Sequence, residues 1–493
     1  AGDKYTAVGG DGDVTISGGT ITATGGNLAS GIGGGCDGNG TVTITGGDIT
    51  AKATGRYGAG IGGGIGEIPK DTLIGGNGTV TISGGTITAV GGGDGDDSGG
   101  GAGIGGGYYN GATVTITGDA VIKNASSTKY GAGIGGGYGY DGDVTISGNA
   151  KIENATGGYG AAGIGGGAFS SPDKIGNGNV VIKDNAKIDN VQGGTFGAGI
   201  GGGVYGFGNV TIKDNATIGT VTGDAYGAGI GGGYAALGDV TIEGNVTIKN
   251  AQGGLNAAGI GGGYGAKNDK DGNGNQITIK SNANGSPTVK AVGGGTDEKE
   301  KIVIGGAGIG AGCESDADAD ITLEGKVTIT ATAGKDNVAI GANGIEQEFT
   351  GLAEGSSITR YDSEGNDTSL PGDKVPVTPV VPDDTSSGGS ADASVQESVF
   401  PGLVVTDKDG QRISYTSIRG NNVLSIRVGR FTASLRVSLA ALRQLRAEGI
   451  ETITFQTILC STTLSVDELL AMGGEDAEAV LTHRLTDSSL TVG

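Results

Sequence analysis

The chain has 493 residues and a formal net charge of −22, from 31 Lys and Arg against 53 Asp and Glu. Such a surface repels phosphate backbones and anionic membranes, so we expect no nucleic-acid partner and no membrane insertion. The 112 glycines and 8 prolines bring the composition close to that of disordered chains. The three cysteines, Cys36, Cys313 and Cys460, provide no disulfide framework.

The sequence begins at Ala1 and contains neither a secretion signal nor an apolar run long enough to cross a bilayer. We therefore expect a mature form or an excised fragment. A signal peptide or surface anchor would then lie outside the given sequence.

A repeat with a period near 30 residues organises the chain up to about residue 345. The first segment of each repeat reads Val-Thr-Ile, as at 14–16, and alternates apolar and polar residues as half-buried strands do. The second segment, as at 20–22, follows a Gly-Gly or Gly-Asn turn. The third is Gly-Ile-Gly-Gly-Gly or a near copy of it. Its isoleucines are Ile32, Ile61, Ile104, Ile134, Ile164, Ile200, Ile230, Ile260, Ile309 and Ile340.

Three strands in so short a repeat cannot bury their inner faces alone, but they can when each coil stacks on the next. The sequence therefore predicts an all-β fold, a right-handed parallel β-helix of about ten coils. Three consecutive glycines lose much backbone entropy on folding, so a steric requirement must explain them. We expect positive φ angles or close backbone packing at a sharp corner.

The composition divides the chain into three parts. Residues 1–360 form the β-helix, with a charged passage around Arg360 as its C-terminal cap. Residues 361–398 are rich in Pro, Thr, Ser and Asp and are predicted to be an extended linker. In residues 399–493 glycine falls and Arg and Leu rise, and the pattern predicts a small α+β domain with a helix capped by Ser465.

Catalytic groups are scarce in this sequence. Gly131, Gly133 and Gly136 satisfy the G-x-G-x-x-G fingerprint of dinucleotide-binding folds, but a turn and a strand follow where such folds have a helix. The first 360 residues contain no histidine, and the single one, His483, is expected to be structural. Acid–base and nucleophilic catalysis need such groups side by side, so we expect no enzymatic activity.

Aromatic residues recur four positions before or after the repeat isoleucine. Stacked coils would align them into ladders beside the glycine strip. The rings could close the corners by stacking on one another, or they could form a strip on which sugar rings stack. The candidate ligand-binding residues are Tyr57, Tyr108, Tyr130, Tyr138, Tyr226, Tyr234 and Tyr264. Phe196 and, one position earlier in its repeat, Tyr159 belong to the same ladder.

Calcium is a candidate ligand of the acidic turns, because hard cations take several carboxylate and carbonyl oxygens. The densest turn is 268–275, where Asp269, Asp271 and Asn273 are the candidate metal ligands. It departs from the EF-hand pattern, since Lys267 occupies the place of the first ligand. The alternative interpretation is that these carboxylates are simply solvated.

The phrase Val-Thr-Ile-Ser-Gly-Gly-Thr-Ile-Thr-Ala, at 14–23 and 80–89, resembles the repeats of secreted bacterial right-handed parallel β-helix proteins. These include carbohydrate-binding β-helix proteins of clostridial cell surfaces and adhesin-like proteins of gut bacteria. The resemblance covers residues 1–345 and implies an extracellular protein of the bacterial cell surface. Where that carbohydrate-binding family has an Asp-Gly-Ile-type unit with calcium-binding acids, this chain has Ala-Gly-Ile.

We therefore expect a non-enzymatic surface protein that binds a polysaccharide or host glycan through a face of the β-helix. The first alternative is a structural stalk or adhesin that contacts host or bacterial surface proteins. A polysaccharide lyase or hydrolase is a further alternative. An ice-binding protein is another, because a row of outward threonines such as Thr15, Thr43 and Thr81 is similar to ice-binding faces. The neighbouring column, however, carries charges at Lys151 and Glu153.

Overall fold

The computed structural model describes residues 10–66, 76–93, 99–168, 175–296, 303–376, 402–408, 410–413, 415–420, 422–428, 430–457, 460–473, 477–484 and 487–492. The chain divides into two compact units, Ala1–Val377 and Thr378–Gly493. The first unit is a right-handed parallel β-helix, as the sequence predicts, and it contains three long sheets.

Each sheet takes one strand from each successive coil. The first sheet consists of Gly12–Ile16, Gly40–Ile44, Gly78–Ile82, Ala112–Ile116, Gly142–Ile146, Gly178–Ile182, Gly208–Asp214, Gly238–Gly244, Asn275–Lys280 and Ala319–Glu324. The second consists of Thr20–Gly25, Asp48–Ala53, Thr86–Gly91, Val121–Ser127, Lys151–Thr156, Lys187–Gln192, Thr217–Thr222, Thr247–Gln252, Thr288–Val292, Thr328–Thr332 and Ser357–Tyr361. The third consists of Ile32–Gly33, Ile61–Gly62, Ile104–Gly105, Ile134–Gly135, Ile164–Gly165, Ile200–Gly201, Ile230–Gly231, Ile260–Gly261, Ile309–Gly310, Ile340–Ala342 and Ile345–Glu346.

The stacking register places like residues over like residues. In the first sheet Val114 pairs with Val144 and Ile116 with Ile146, and in the third Ile134 pairs with Ile164. The inward isoleucines of the inner coils are essentially inaccessible to solvent. Burying each such side chain contributes about 1.5–3 kcal/mol, so the column of apolar side chains is the main source of stability.

The glycine corner has both properties that the sequence indicates. Gly135, directly after Ile134, has φ +133°, and a Cβ there would lie 2.0 Å from the carbonyl oxygen of Gly165 in the next coil. A Cβ on Gly137, two residues later, would lie 1.8 Å from the carbonyl oxygen of Gly107. Side chains are therefore excluded by the close approach of neighbouring coils.

A cap closes the C-terminal end of the β-helix. Ile345–Glu346 turns back antiparallel to Ile340–Ala342. The guanidinium of Arg360 is fully buried, donates from Nε and Nη2 to the two carboxylate oxygens of Asp373 at 2.7 and 2.8 Å, and also pairs with Glu346. The predicted linker thus begins too early, because residues 361–376 pack on the end of the β-helix through this ion pair. The rest of that prediction, 377–398, lies outside the described residues.

The second unit is a small α+β domain with two four-stranded sheets. One consists of Leu403–Thr406, Thr432–Ser438, Glu478–Arg484 and Asp487–Val492, and the other of Thr416–Gly420, Val423–Arg427, Thr452–Gln456 and Ser461–Ser465. Its helices are α1, Leu439–Ala447, and α2, Val466–Met472. Ser465 caps α2 as predicted, since its hydroxyl accepts a hydrogen bond from the backbone N–H of Glu468.

His483 lies inside this small domain. Its ring nitrogens are 3.2 Å from the hydroxyl of Thr457 and 3.0 Å from that of Thr462, and the ring packs against Phe455. Burial lowers the pKa of His483 below its usual value. The side chain is hydrogen-bonded on both sides and inaccessible to solvent, an arrangement suited to a structural role. Within the described part of the chain, neither helix is long and apolar enough to span a membrane.

Candidate functional site

Two columns of residues flank the third sheet, one four positions before the repeat isoleucine and one four positions after it. Backbone hydrogen bonds join them between coils. The N–H of Tyr234 donates to the carbonyl of Phe196 at 2.8 Å, and the N–H of Tyr264 donates to the carbonyl of Tyr226 at 3.0 Å. The same bond joins Tyr108 to the carbonyl of Tyr57, at 2.8 Å. The backbone therefore brings the two predicted ladders side by side at one edge of the β-helix.

We call the rings along this edge the aromatic edge. It consists of Tyr57, Tyr108, Tyr130, Tyr138, Tyr159, Phe196, Tyr226, Tyr234 and Tyr264, and all seven tyrosines predicted from the sequence belong to it. Ring contacts connect it without interruption. Centroid distances are 4.8 Å for Tyr57–Tyr108, 5.0 Å for Tyr108–Tyr138, 5.3 Å for Tyr138–Tyr130, 5.8 Å for Tyr130–Tyr159, 5.5 Å for Tyr159–Phe196, 5.6 Å for Phe196–Tyr226 and 5.1 Å for Tyr226–Tyr264.

The edge contains parallel, tilted and perpendicular ring contacts. Tyr108 and Tyr138 stack with their planes 3° apart, and Phe196 and Tyr226 stack with theirs 10° apart. Tyr159 meets both of its neighbours nearly at right angles. Contacts of these geometries are worth about 0.5–1.5 kcal/mol each beyond the area they bury. The rings thus stabilise the coil corners, as one of the two sequence interpretations expects.

Exposure to solvent differs strongly among these rings. Tyr108 is only 5 % exposed, so its ring offers almost no surface to a ligand. Tyr159 is 54 % exposed, and the other rings lie between these limits. Tyr159 is therefore the most accessible ring, although it was not among the seven candidates. The signal that could have identified it is the glycine at position 160, where the neighbouring repeats have an aromatic residue.

Small residues interrupt the second ladder at the middle of the edge. Ala168 and Val204 stand where the flanking coils have tyrosine, and both are buried. Together with Ala161 they form a small apolar cluster. The rings packed against it are Tyr130, Phe196, Tyr205 and Tyr234. The sequence patterns did not single out Tyr205, which lies outside both ladders by one position.

Polar groups accompany the rings. The carboxylate of Asp224, between the coils of Phe196 and Tyr226, accepts hydrogen bonds from the hydroxyl of Thr195 at 3.2 Å and the N–H of Ala225 at 2.8 Å. At the far end of the edge the phenol of Tyr264 donates to Glu314 at 2.6 Å. Burial, followed by this hydrogen bond, raises the pKa of Tyr264 above its usual value. The hydroxyl of Tyr264 thus remains a neutral donor at physiological pH.

In the candidate calcium turn, hydrogen bonds within the turn hold the side chain of Asp269. The carboxylate of Asp269 accepts hydrogen bonds from the N–H groups of Asp271 and Asn273 and from the Asn273 side-chain amide, at 2.8, 2.9 and 3.0 Å. These bonds, led by the amide, lower the pKa of Asp269. Among the residues that the structure describes, no group of three or more His, Cys, Asp or Glu side chains could hold a metal ion.

The same turn occurs at two other places among the residues that the structure describes. The carboxylate of Asp362 accepts from the N–H groups of Glu364 and Asn366, and that of Asp407 accepts from the N–H of Gln411. In each copy the backbone N–H of the aspartate donates to the carbonyl four residues ahead, and the residue before that carbonyl is a glycine with positive φ. Asp269, one of the acids at 268–275, therefore belongs to a recurring turn, and its own carboxylate stabilises that turn.

Comparison with known proteins supports the repeat architecture. A family model described as beta helix repeat matches residues 14–36, 42–65, 144–168 and 240–264. Each match runs from a Val-Thr-Ile strand to the residue four positions after the repeat isoleucine, that is, through the three strands of one coil. No curated protein and no solved structure matches the chain. Together with the three parallel sheets, these matches support a parallel β-helix repeat architecture for the first unit.

Proposed function

We propose that this chain is a non-enzymatic extracellular protein of a bacterial cell surface and that its aromatic edge binds a polysaccharide or host glycan. The observation that carries the proposal is the unbroken series of ring contacts from Tyr57 to Tyr264, with the exposed ring of Tyr159 near its middle. A long chain ligand needs a long, repeated surface, and each coil from that of Tyr57 to that of Tyr264 contributes at least one ring to the edge.

The chemistry of the edge suits sugars. The apolar faces of sugar rings pack on aromatic rings, and their hydroxyls need donors and acceptors close by. Such groups are supplied by Thr195, one coil away from Tyr159, and by Asp224, two coils away, and Tyr159 itself carries a phenol. Many of the other rings pack against one another, so their faces are covered. We therefore place the main contact with the glycan at Tyr159 rather than along the whole edge.

The second candidate function is a structural stalk that contacts other proteins, and the burial of Tyr108 favours it. In this case the rings serve only to close the corners of the coils. A stalk needs a stiff rod and no ligand, so the two candidates differ in whether a glycan binds at all.

A glycan and plant-polysaccharide array with the intact chain separates these candidates. We expect binding confined to one saccharide class and about tenfold weaker binding after Tyr159→Ala, which removes about 1.4 kcal/mol of stacking. Phe207→Ala is the matched control, because Phe207 is also an exposed aromatic residue, at 41 %, and makes none of the ring contacts of the edge. A blank array, or equal losses in both variants, would contradict glycan binding at the edge and favour the stalk.

A further inference from the structure

The tyrosines on the N-terminal side of Phe196 connect a solvent-exposed ring to a buried one. Tyr159 is 54 % exposed and Tyr108 is 5 % exposed. Between them lie Tyr130 and Tyr138, and the successive centroid distances from Tyr159 to Tyr108 are 5.8, 5.3 and 5.0 Å. Rings at these distances are in van der Waals contact, so an electron removed from one phenol is readily replaced from the next.

Tyr108 and Tyr138 are the pair in which we expect carbon–carbon coupling, because their rings stack in parallel. Their planes are 3° apart and their centroids 5.0 Å apart. In the contact of Tyr130 with Tyr159, by contrast, the planes are 88° apart and an edge meets a face. The phenol of Tyr108 is hydrogen-bonded to that of Tyr109, which is more accessible and offers a path for the proton to leave.

We propose that the aromatic edge is a site of oxidative modification, in which a one-electron oxidant acts on Tyr159 and a dityrosine bond forms between Tyr108 and Tyr138. The oxidant is a haem peroxidase with hydrogen peroxide. Each oxidation removes one electron and one phenolic proton. Tyr130, Tyr138 and Tyr108 in turn each give an electron to the oxidised ring before it, so the radical moves from Tyr159 towards Tyr108.

The reaction balances with one peroxide per bond. Two tyrosyl radicals join through the ring carbons next to their hydroxyls. The hydrogens on those carbons are lost, and both hydroxyls are restored. The two electrons and two protons released reduce hydrogen peroxide to two molecules of water, and the chain becomes lighter by two hydrogens.

Phe196 limits the reach of this relay. A phenylalanine ring has no phenolic proton to release and is much harder to oxidise than tyrosine. Beyond it, Tyr234 and Tyr264 form a second stacked pair, with planes 29° apart and centroids 5.8 Å apart. The Tyr234–Tyr264 pair therefore serves as an internal control. It is also stacked, but Phe196, which does not pass on the oxidation, separates it from Tyr159.

The predicted bond joins two adjacent coils, because Tyr108 and Tyr138 occupy the same position in successive repeats. A covalent link of this kind removes conformations from the unfolded chain, as a disulfide does. We therefore expect the oxidised chain to resist denaturant better than the untreated chain.

The experiment treats the intact chain with a haem peroxidase and hydrogen peroxide and maps cross-linked peptides by mass spectrometry. We expect a cross-link between Tyr108 and Tyr138, and loss of most of it in Tyr159→Phe, because Tyr159 is the most exposed ring of the series and the enzyme acts first on that ring. Tyr205→Phe is the control, since Tyr205 contacts Tyr234 on the other side of Phe196, and it should leave the yield unchanged.

A second variant, Phe196→Tyr, should extend the relay and produce a new cross-link between Tyr234 and Tyr264. Both aromatic replacements keep the ring, and circular dichroism checks that the β-helix is intact. An unchanged yield in Tyr159→Phe would overturn the proposal. So would a cross-link that joins Tyr159 of two chains in place of the internal bond.

Discussion

Replacement of Gly135 by alanine tests the idea that the glycine corner is required by the approach of neighbouring coils. Gly135 has φ +133°, and a Cβ would lie 2.0 Å from the carbonyl oxygen of Gly165. Real Cβ atoms essentially never approach within 3.0 Å of such an atom, so the next coil must move by about 1 Å. The substitution therefore acts on the coil interface as well as on the local backbone.

The expected loss of stability follows from two contributions. Placing an L-residue at positive φ costs about 1–2 kcal/mol. The movement also strains the hydrogen bonds that cross the interface here, from the N–H of Gly133, Ile134 and Gly136, which have lengths of 3.2, 3.0 and 2.9 Å. At about 1 kcal/mol each these add about 3 kcal/mol, so we expect Gly135→Ala to lower the free energy of unfolding by about 4 kcal/mol.

Two other glycines separate these contributions. Gly272 also has positive φ, +84°, but a Cβ there would meet nothing within 4 Å. Its replacement by alanine should cost only about 1 kcal/mol, because the lower conformational entropy of the unfolded chain offsets part of the backbone strain. Gly18 has neither positive φ nor a close neighbour, so Gly18→Ala should be neutral or stabilising by up to about 1 kcal/mol.

Urea unfolding of the three variants, followed by circular dichroism, measures these differences. The reasoning requires the order Gly135, Gly272, Gly18 from most to least destabilised. If Gly135→Ala unfolds at the same urea concentration as Gly272→Ala, the coil interface tolerates a side chain and the steric explanation is wrong.

Three further predictions concern the cap, the small domain and the acidic turns. Arg360→Met leaves the carboxylate of Asp373 buried without its partner and should cost about 3–5 kcal/mol in urea unfolding, whereas a loss below about 1 kcal/mol would show that the cap is dispensable. His483 has a lowered pKa, so unfolding takes up a proton; its contribution to stability is complete above about pH 6.5 and is lost as the pH falls further. Thermal unfolding of the small domain should therefore depend less on pH between about 6.5 and 5 in His483→Gln, and an unchanged dependence would contradict this assignment. Because the turn donors already occupy the Asp269 carboxylate, a chelator should leave the thermal midpoint unchanged, and a fall would indicate a bound cation.

Some of the site could be predicted from the sequence and some could not. The ladder positions are visible because aromatic residues keep their distance from the repeat isoleucine, and the structure brings all seven predicted tyrosines into one set of ring contacts. The sequence does not distinguish Tyr108 from Tyr159, one almost fully buried and the other more than half exposed. Exposure depends on the residues of adjacent coils, and Tyr108 is covered by Tyr57, Tyr109 and Tyr138.

The sequence by itself determined the coil. Its three strands and its glycine corner follow from local alternation and from backbone angles, and each repeat carries these signals in full. Only the tertiary structure decided which side chains remain accessible to a ligand. Arg360, for example, is buried against Asp373, thirteen residues away along the chain. Such partners lie outside the repeat pattern, so their pairing depends on how the chain packs in three dimensions.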